Sequence, residues 1–328
     1  MKAYTSSRLV MGGLLMLGLS AGPALADQAR SFVSGLGSDT NAPNCIRTAP
    51  CRTFQTAHDH TLANGEISVL DAGSYGSVTI NKNISVINDG VGEAGALVSG
   101  GGAGIIINAG PTDAVTLRGL TIKGLGPANG GGNGIVFNTG LSLTLESCVI
   151  RNMTGAFPLG IGVTVQPSNT TLFTASNTTA TDNQNGGILV VPTGGTGIVV
   201  SAVLNGVSLY NNGLLGFAIN GSNADSASRV TATVTNSVAG NTFGNGFWSV
   251  SAVGKAPTTL LITYSVAAGN VVGLRSDSSS STIVIGGSTI TSNGTNLIAS
   301  AGFVYTWGNN FEVFNTTTNV FSAAISPS

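Results

Sequence analysis

The 328-residue chain contains very few charged residues. Asp, Glu, Lys and Arg together make up 8% of the sequence, against about a quarter in an ordinary globular domain. A protein that binds nucleic acid needs a dense basic surface, so this composition excludes a nucleic acid as partner. It also excludes ordinary intrinsic disorder, which combines high net charge with few apolar residues, because 42% of the residues are hydrophobic.

Long apolar segments are equally scarce. Beyond the amino terminus, no run approaches the roughly 18 apolar residues that a membrane-spanning helix needs. The apolar residues 9–19 follow the basic residues Lys2 and Arg8 and precede the small residues 24–26, Ala-Leu-Ala. This order is typical of a secretory signal peptide. We therefore expect residues 1–26 to be a cleaved signal peptide, which predicts a secreted or periplasmic protein without a membrane span.

The chain has only three cysteines. Cys45 and Cys51 flank a short polar loop that contains Pro50, and in an oxidising compartment they are expected to form a local disulfide bond. A zinc site is the alternative, but it would need further ligands beside these two thiols. We therefore expect no metal site there. Cys148 stands in an apolar strand-like segment and is interpreted as a buried free thiol.

An internal repeat organises most of the chain. Residues 115–124 match residues 143–152 position by position, so that Leu117 falls on Leu145. Beyond this pair of segments, an asparagine recurs at intervals of 23 to 31 residues, usually five positions after a small or polar residue. Such periods are typical of solenoid repeats. We expect the asparagines to form a ladder at one turn of successive coils: Asn152, Asn183, Asn212, Asn241, Asn270 and Asn293.

The repeat is built from strands rather than helices. Short β-branched runs such as residues 105–107, 135–137 and 283–285 are separated by Gly, Asn and Thr, and they show no helical periodicity. A β-sandwich is the alternative, but it would not keep a constant offset between asparagines. The sequence therefore predicts an all-β, right-handed parallel β-helix of about seven to nine coils over residues 66–328.

A cap is expected over the first coil, because an exposed solenoid end would aggregate. We assign residues 27–65 to this cap. Residues 53–62 are predicted to form a short helix with Phe54, Ala57 and Leu62 on its apolar face. The only two histidines, His58 and His60, alternate along this helix, and we expect both of them to be exposed rather than catalytic or metal-binding.

The cap also carries a family resemblance. Residues 32–41, the pair Cys45 and Cys51, and Thr53-Phe54 resemble the amino-terminal cap of secreted bacterial proteins of the pectin-lyase-like, right-handed parallel β-helix superfamily. The resemblance covers residues 30 to about 90. It implies the β-helix fold and a relationship to enzymes that act on polysaccharides, but fold alone does not determine function.

The enzyme patterns of that superfamily are missing from this sequence. Its lyases cluster carboxylates around calcium beside an Arg or Lys base, and its hydrolases use several Asp residues with His and an Arg-Ile-Lys signature. This chain has no Asp-Asp pair, no Gly-His-Gly and no Arg-Ile-Lys. A glycosidase would also need two carboxylates at a fixed separation, and no such pair can be placed. We therefore assign no catalytic residue.

Charged residues and one tryptophan are the remaining candidates for ligand contact. The repeat register stacks Arg118 on Glu146 and Lys123 on Arg151, and a 31-residue step then places Asp182 next to Arg151. These charges are suited to an acidic sugar, or else they form a surface ion-pair ladder of little energetic weight. The candidate glycan contacts are Arg118, Lys123, Glu146, Arg151, Asp182 and Trp248.

The sequence therefore predicts an exported β-helix protein that serves as an extracellular scaffold or binds carbohydrate without turnover. Its expected partner is a polysaccharide or a cell-surface glycan, and no cofactor is expected. The alternative is a polysaccharide lyase or glycoside hydrolase of the same superfamily. Calcium would be expected only under the lyase alternative.

Overall fold

The computed structural model describes residues 1–2 and 28–326. The expected signal peptide, apart from its first two residues, lies outside the described residues. The described chain forms three parallel sheets of 12, 10 and 9 strands that wind into a β-solenoid. The predicted fold class, a parallel β-helix with a short cap helix, is thereby confirmed.

Each coil contributes one strand to each of three sheets, named A, B and C in the order in which the chain visits them. Strands are numbered in chain order. Sheet A has 12 strands: β1 Gln28–Val33, β2 Thr61–Val69, β5 Ile84–Ile87, β8 Ala114–Arg118, β11 Ser142–Glu146, β14 Thr171–Ser176, β17 Val199–Asn205, β20 Arg229–Thr235, β23 Thr258–Thr263, β26 Ser281–Gly286, β29 Phe303–Thr306 and β31 Ala323–Ala324.

The other two sheets have ten and nine strands. Sheet B consists of β3 Gly73–Ser74, β6 Ala94–Val98, β9 Thr121–Gly124, β12 Val149–Arg151, β15 Thr179–Thr181, β18 Ser208–Tyr210, β21 Val238–Gly240, β24 Val266–Ala268, β27 Thr289–Thr291 and β30 Phe311–Val313. Sheet C consists of β4 Val78–Ile80, β7 Ala103–Asn108, β10 Asn133–Thr139, β13 Ile161–Val165, β16 Gly186–Val190, β19 Leu215–Asn220, β22 Asn245–Val250, β25 Val272–Asp277 and β28 Thr295–Ser300.

One continuous apolar core runs along the inside of the coils. Inward residues of successive strands pair directly, as Leu117 does with Leu145, because neighbouring parallel strands stack about 4.8 Å apart. Among the largest fully buried side chains are Phe137, Phe173 and Phe217. Each coil is too thin to bury these side chains alone, so the core forms only between neighbouring coils.

The asparagine ladder exists at the turn between sheets B and C. The backbone N–H and Nδ2 of Asn183 both donate to Oδ1 of Asn212, at 3.2 and 3.1 Å. Asn212 Nδ2 in turn donates to the carbonyl oxygen of Ala180 at 2.9 Å. Asn270 binds Asn293 in the same way, at 2.9 and 3.0 Å. Four of the six predicted asparagines therefore occupy one buried file.

The other two predicted members, Asn152 and Asn241, lie outside the ladder. Both are exposed, and their φ angles are 61° and 53°. The buried ladder position is the next residue in each coil, Met153 or Thr242. Asparagine is favoured both in the ladder and in the left-handed bend that precedes it, so the residue type alone did not distinguish the two positions.

The cap helix α1, Phe54–Asp59, is shorter than predicted. It begins at the N-cap Thr53, whose hydroxyl accepts a hydrogen bond from the Thr56 N–H at 3.2 Å. Phe54 and Ala57 are buried as expected. The chain then turns directly into β2, so Leu62 lies in a strand and is 47% exposed.

The expectation that both histidines are exposed is wrong. His60 is half-buried, and His58 of helix α1 is buried. Its Nδ1 is 3.0 Å from Asp59 Oδ1, and its Nε2 accepts from the Asn81 N–H at 3.4 Å. Burial lowers the pKa of His58 from its usual value, as expected when a charged imidazolium is removed from water.

The cysteines are arranged as the sequence predicts. Cys45 and Cys51 form a disulfide bond, and Cys148 is a buried free thiol. Burial raises the pKa of Cys148 to about 11, so the thiol stays protonated and unreactive at neutral pH.

The last coil is covered by the chain that follows β30. Phe321 packs against the end of the core. The backbone N–H of Asn296 in β28 donates to the Thr317 carbonyl at 3.0 Å, and Asn319 Nδ2 donates to the carbonyl of Leu297 at 2.8 Å. Both ends of the solenoid are therefore covered. Among the described residues, no helix is long and apolar enough to cross a membrane.

A carboxylate organises the covered amino-terminal end. Asp71 accepts hydrogen bonds from the Ser34 hydroxyl at 2.5 Å, the Gly35 N–H at 2.6 Å and the Tyr75 hydroxyl at 2.6 Å. Burial alone would raise the pKa of Asp71, but these hydrogen bonds outweigh burial and hold the pKa below its usual value.

The ladder contacts predict a large loss of stability for Asn212→Ala. The substitution leaves the Ala180 carbonyl and the Asn183 amide without partners in the interior, which should lower the free energy of unfolding by about 2–4 kcal/mol. The matched control is Asn211→Gly, because Asn211 is exposed with a φ of 53° and glycine tolerates that conformation. Urea unfolding should separate the two variants, and equal midpoints would contradict the assigned ladder.

The Asp71 contacts predict a stability that depends on pH. Because the folded-state pKa is lowered, this carboxylate stabilises the protein above its ordinary pKa of 3.8, and the contribution is lost as the pH falls below that value. Asp71→Asn should therefore be less stable than the wild type at pH 7, by about 1 kcal/mol. Urea midpoints of the two proteins should converge towards pH 3, and a constant difference would contradict the assignment.

Candidate functional site

Four of the five charged candidates lie on strands of sheets A and B in the amino-terminal half of the solenoid. Arg118 and Glu146 are neighbours in sheet A, as the repeat predicts. The Arg118 guanidinium, however, forms its ion pair with Asp89. Because the side chains of this pair are largely solvent-exposed, the ion pair contributes little to stability.

The second charged file lies on sheet B. Lys123 is paired with Arg151 in register, as predicted, and the Arg151 guanidinium is 3.2 Å from Glu93 Oε1. Asp182 does not continue this file, because Arg151 stands opposite Thr181. Asp182 is the next residue and occupies the left-handed bend, with a φ of 56°. The 31-residue step is one residue too long for this file.

Trp248 lies apart from the charged candidates. It points outward from β22 in sheet C, between Ala218 of β19 and Arg275 of β25. Its Nε1 donates to Asp277 Oδ2 at 2.8 Å, and Arg275 Nε donates to the same oxygen at 2.7 Å. The six predicted contact residues therefore occupy three different sheets and one turn rather than one surface.

Trp248 stands at one end of a groove along the outer face of sheet C, which we call the outer groove. A hollow of ≈ 180 Å³ is lined by Trp248, Leu189 and Leu215, and a second hollow of ≈ 480 Å³ is lined by Thr164 and Leu189. Phe157, Leu189 and Asn220 line both hollows. The two hollows therefore form one groove that passes beside Phe157.

A loop borders the middle of the groove. We call residues 154–160 the Phe157 loop, after a phenylalanine that is 58% exposed. Asn185 Nδ2 donates to the loop carbonyls of Gly155 and Leu159, at 2.7 and 2.6 Å. The Gly155 N–H donates to Gln184 Oε1 at 3.0 Å. The loop is thus held in place by Gln184 and Asn185 of the next coil, so the groove is preformed.

The polar side chains of the groove are amides and hydroxyls. Gln166 Nε2 donates to Asn138 Oδ1 at 2.8 Å, and Asn220 faces both hollows. Thr164 is 5% exposed, and its hydroxyl has no hydrogen-bond partner among the described residues. None of the described residues that line the two hollows is charged or has a histidine, cysteine or tyrosine side chain.

This lining is suited to a ligand with apolar faces and hydrogen-bonding edges. Aromatic and aliphatic side chains supply the apolar contact area, while amides donate and accept hydrogen bonds. Within the described part of the chain, no group of three or more His, Cys, Asp or Glu residues is placed to hold a metal ion.

Sequence reasoning found Trp248 but missed the rest of the groove. One available signal was the turn between sheets B and C: it spans residues 152–160 in the coil of the Phe157 loop but only residues 182–185 in the next coil. A second signal was the sequence of β16, Gly-Gly-Ile-Leu-Val, which contains no polar residue; the structure buries this strand on both faces. A strand that is buried on both faces shows no alternation of apolar and polar residues. Its outer face must therefore be covered by another segment, here the Phe157 loop.

Comparisons with known proteins support the fold. No family model matches the sequence, and no curated protein matches it. Among solved structures, tailspike protein 2 from Escherichia coli O157:H7 bacteriophage CAB120 is 10% identical with a TM-score of 0.58, over 86% of this chain and 41% of the tailspike. This chain therefore spans less than half of the tailspike's length.

Two further solved structures extend the comparison. Pectin methylesterase from carrot is 12% identical with a TM-score of 0.50, over 94% of this chain and 89% of that protein. The pectate lyase Pel9A is 17% identical with a TM-score of 0.48, over 92% and 80%. The likeness to the carrot protein confirms the resemblance to pectin-lyase-like parallel β-helix proteins as a resemblance in fold.

The anchoring of the Phe157 loop predicts a local effect for Asn185→Ala. Loss of two hydrogen bonds to loop carbonyls should speed amide hydrogen exchange in residues 154–160 while leaving exchange in sheet A unchanged. Hydrogen exchange followed by mass spectrometry measures both regions in one sample. Asn205→Ala, an exposed asparagine of sheet A, serves as the control, and similar protection of the loop in both variants would contradict the anchoring role.

Proposed function

We propose that this protein binds a glycan in the outer groove and does not turn it over. A sugar ring has a face of C–H groups and a rim of hydroxyls. The C–H face stacks on aromatic side chains such as Trp248 and Phe157, and the hydroxyls exchange hydrogen bonds with amides such as Asn220 and Gln166. The observation that carries the proposal is this pairing of aromatic and amide side chains in one preformed groove.

The chemistry of the lining favours binding over catalysis. General acid–base catalysis needs a titratable side chain within hydrogen-bond reach of the reacting atom, and glycoside hydrolysis usually needs two carboxylates. The described lining of the groove supplies neither. Asp277 lines neither hollow, and its Oδ2 already accepts hydrogen bonds from the Trp248 indole and from Arg275.

The solved structures with the same fold support a carbohydrate ligand. The carrot protein is a pectin methylesterase, and pectin is a polysaccharide. The disulfide bond between Cys45 and Cys51 supports the secreted or periplasmic location in which such a ligand would be met, since disulfides persist in oxidising compartments.

The enzyme alternative is tested by looking for products. The protein is incubated with a panel of neutral and acidic polysaccharides, with and without calcium, and reducing and unsaturated ends are measured. We expect neither kind of product. Release of either one would replace the binding proposal with the lyase or hydrolase alternative.

Trp248→Leu should weaken glycan binding by about tenfold, equivalent to roughly 1.4 kcal/mol, because stacking on the indole is lost. Binding is first located on a glycan array and then measured by titration calorimetry. Phe243→Ala is the matched control, because Phe243 is an aromatic residue that is 80% exposed and does not line the outer groove. An array without binding would contradict the proposal, as would equal losses in both variants.

A further inference from the structure

We infer that the outer groove takes one neutral oligosaccharide that runs parallel to the solenoid axis, with its two ends in chemically different halves of the groove. This inference rests on the proposed function and specifies the class and the orientation of the ligand. It concerns the outer face of sheet C, away from the charged files on sheets A and B.

The length of the groove supports an elongated ligand. Its outward file crosses five successive strands, β10, β13, β16, β19 and β22, through Val136, Thr164, Leu189, Ala218 and Trp248. Four spacings of about 4.8 Å give a length of roughly 19 Å. Thr164 and Trp248 are three of these spacings apart, roughly 14 Å. A single sugar ring cannot contact both residues, whereas a chain that crosses the strands can.

The two halves of the groove differ in chemistry. The Trp248 half is mainly apolar, with Leu189, Leu214 and Leu215 beside the indole. The Thr164 half adds polar side chains, among them Asn133, Gln166 and Thr193. We therefore assign ring stacking to the first half and hydroxyl recognition to the second.

Thr164 provides the specific indication of a ligand in the polar half. Thr164 is 95% removed from solvent, and its hydroxyl oxygen is itself buried without a partner among the described residues. A buried hydroxyl without a partner is unfavourable by about 1–3 kcal/mol. Rotation of the side chain about χ1 would turn the hydroxyl towards the groove, where a hydroxyl of a bound sugar would supply the missing hydrogen bond and regain part of that free energy.

The charge of the groove excludes an acidic chain as the preferred ligand. No described lining residue is cationic, and a carboxylate moved from water to an uncharged, partly apolar surface loses hydration without compensation. Arg275 lies beside Trp248, but its Nε is bonded to Asp277 at 2.7 Å. Its charge is therefore already paired.

The experiment is a length series measured by titration calorimetry on the full chain. The probes are neutral cello- and manno-oligosaccharides from the monosaccharide to the hexasaccharide, and oligogalacturonates of the same lengths. For the neutral series, affinity should rise with length and then level off once the chain fills the groove. Oligogalacturonates should bind at least about tenfold more weakly than neutral chains of equal length.

Two variants test the assignment of the halves. Thr164→Val, which keeps the side-chain shape, should weaken the longest neutral chain severalfold and leave disaccharide binding unchanged. Trp248→Leu should weaken both. Thr259→Val, which makes the same change on an exposed threonine of sheet A, should change neither.

The outcomes separate this inference from the proposed function. Equal affinity for short and long chains, or tighter binding of oligogalacturonates, would overturn the inference and keep glycan binding. An unchanged affinity of Thr164→Val for the longest chain would overturn the assigned role of Thr164. If no neutral or acidic oligosaccharide binds, both the inference and the proposed function fail.

Discussion

The stacking of equivalent residues at about 4.8 Å governs the whole molecule. Residues at equivalent positions of neighbouring coils contact each other. If they are of the same type, a favourable contact between like side chains is repeated along the solenoid, and so is an unfavourable one. Aliphatic side chains form a continuous core in this way, and asparagine amides such as those of Asn183 and Asn212 donate to and accept from each other. A file of like charges would repel itself. The low charge content of the chain is therefore a consequence of the fold.

This repetition also explains how far the sequence predicts the structure. The match of residues 115–124 with 143–152 correctly predicted the pairing of strands in sheets A and B, because inward Leu and outward charged residues leave little choice of register. The repeat did not show which of two adjacent positions in each turn belongs to the asparagine ladder. Asn241 and Thr242 are adjacent, and asparagine suits both positions. Only the constant spacing from Ser237, five residues to Thr242, distinguishes them.

The outer groove was harder to predict, because it is assembled from side chains on five coils and from a loop. The sequence of any one coil does not indicate the groove. Leu189 illustrates the difficulty. In sequence it belongs to an apolar run that suggests an inward strand, yet its side chain points to the outer face and is buried there at 5% exposure. Trp248 was identifiable because tryptophan is rare in this chain. Thr164 was not, because threonine is common throughout it.

The separation of charge from the groove bears on how a ligand would be selected. The predicted charged contacts Arg118 and Arg151 lie on sheets A and B, where they are paired with Asp89 and Glu93, whereas the groove lies on the outer face of sheet C and is uncharged. Long-range attraction therefore contributes little to finding the ligand. Affinity must come from stacking and short hydrogen bonds, which salt hardly screens. Selectivity then depends on the shape of the ligand and on the placement of its hydroxyls, because a rigid stack of coils holds the contacting side chains in fixed positions.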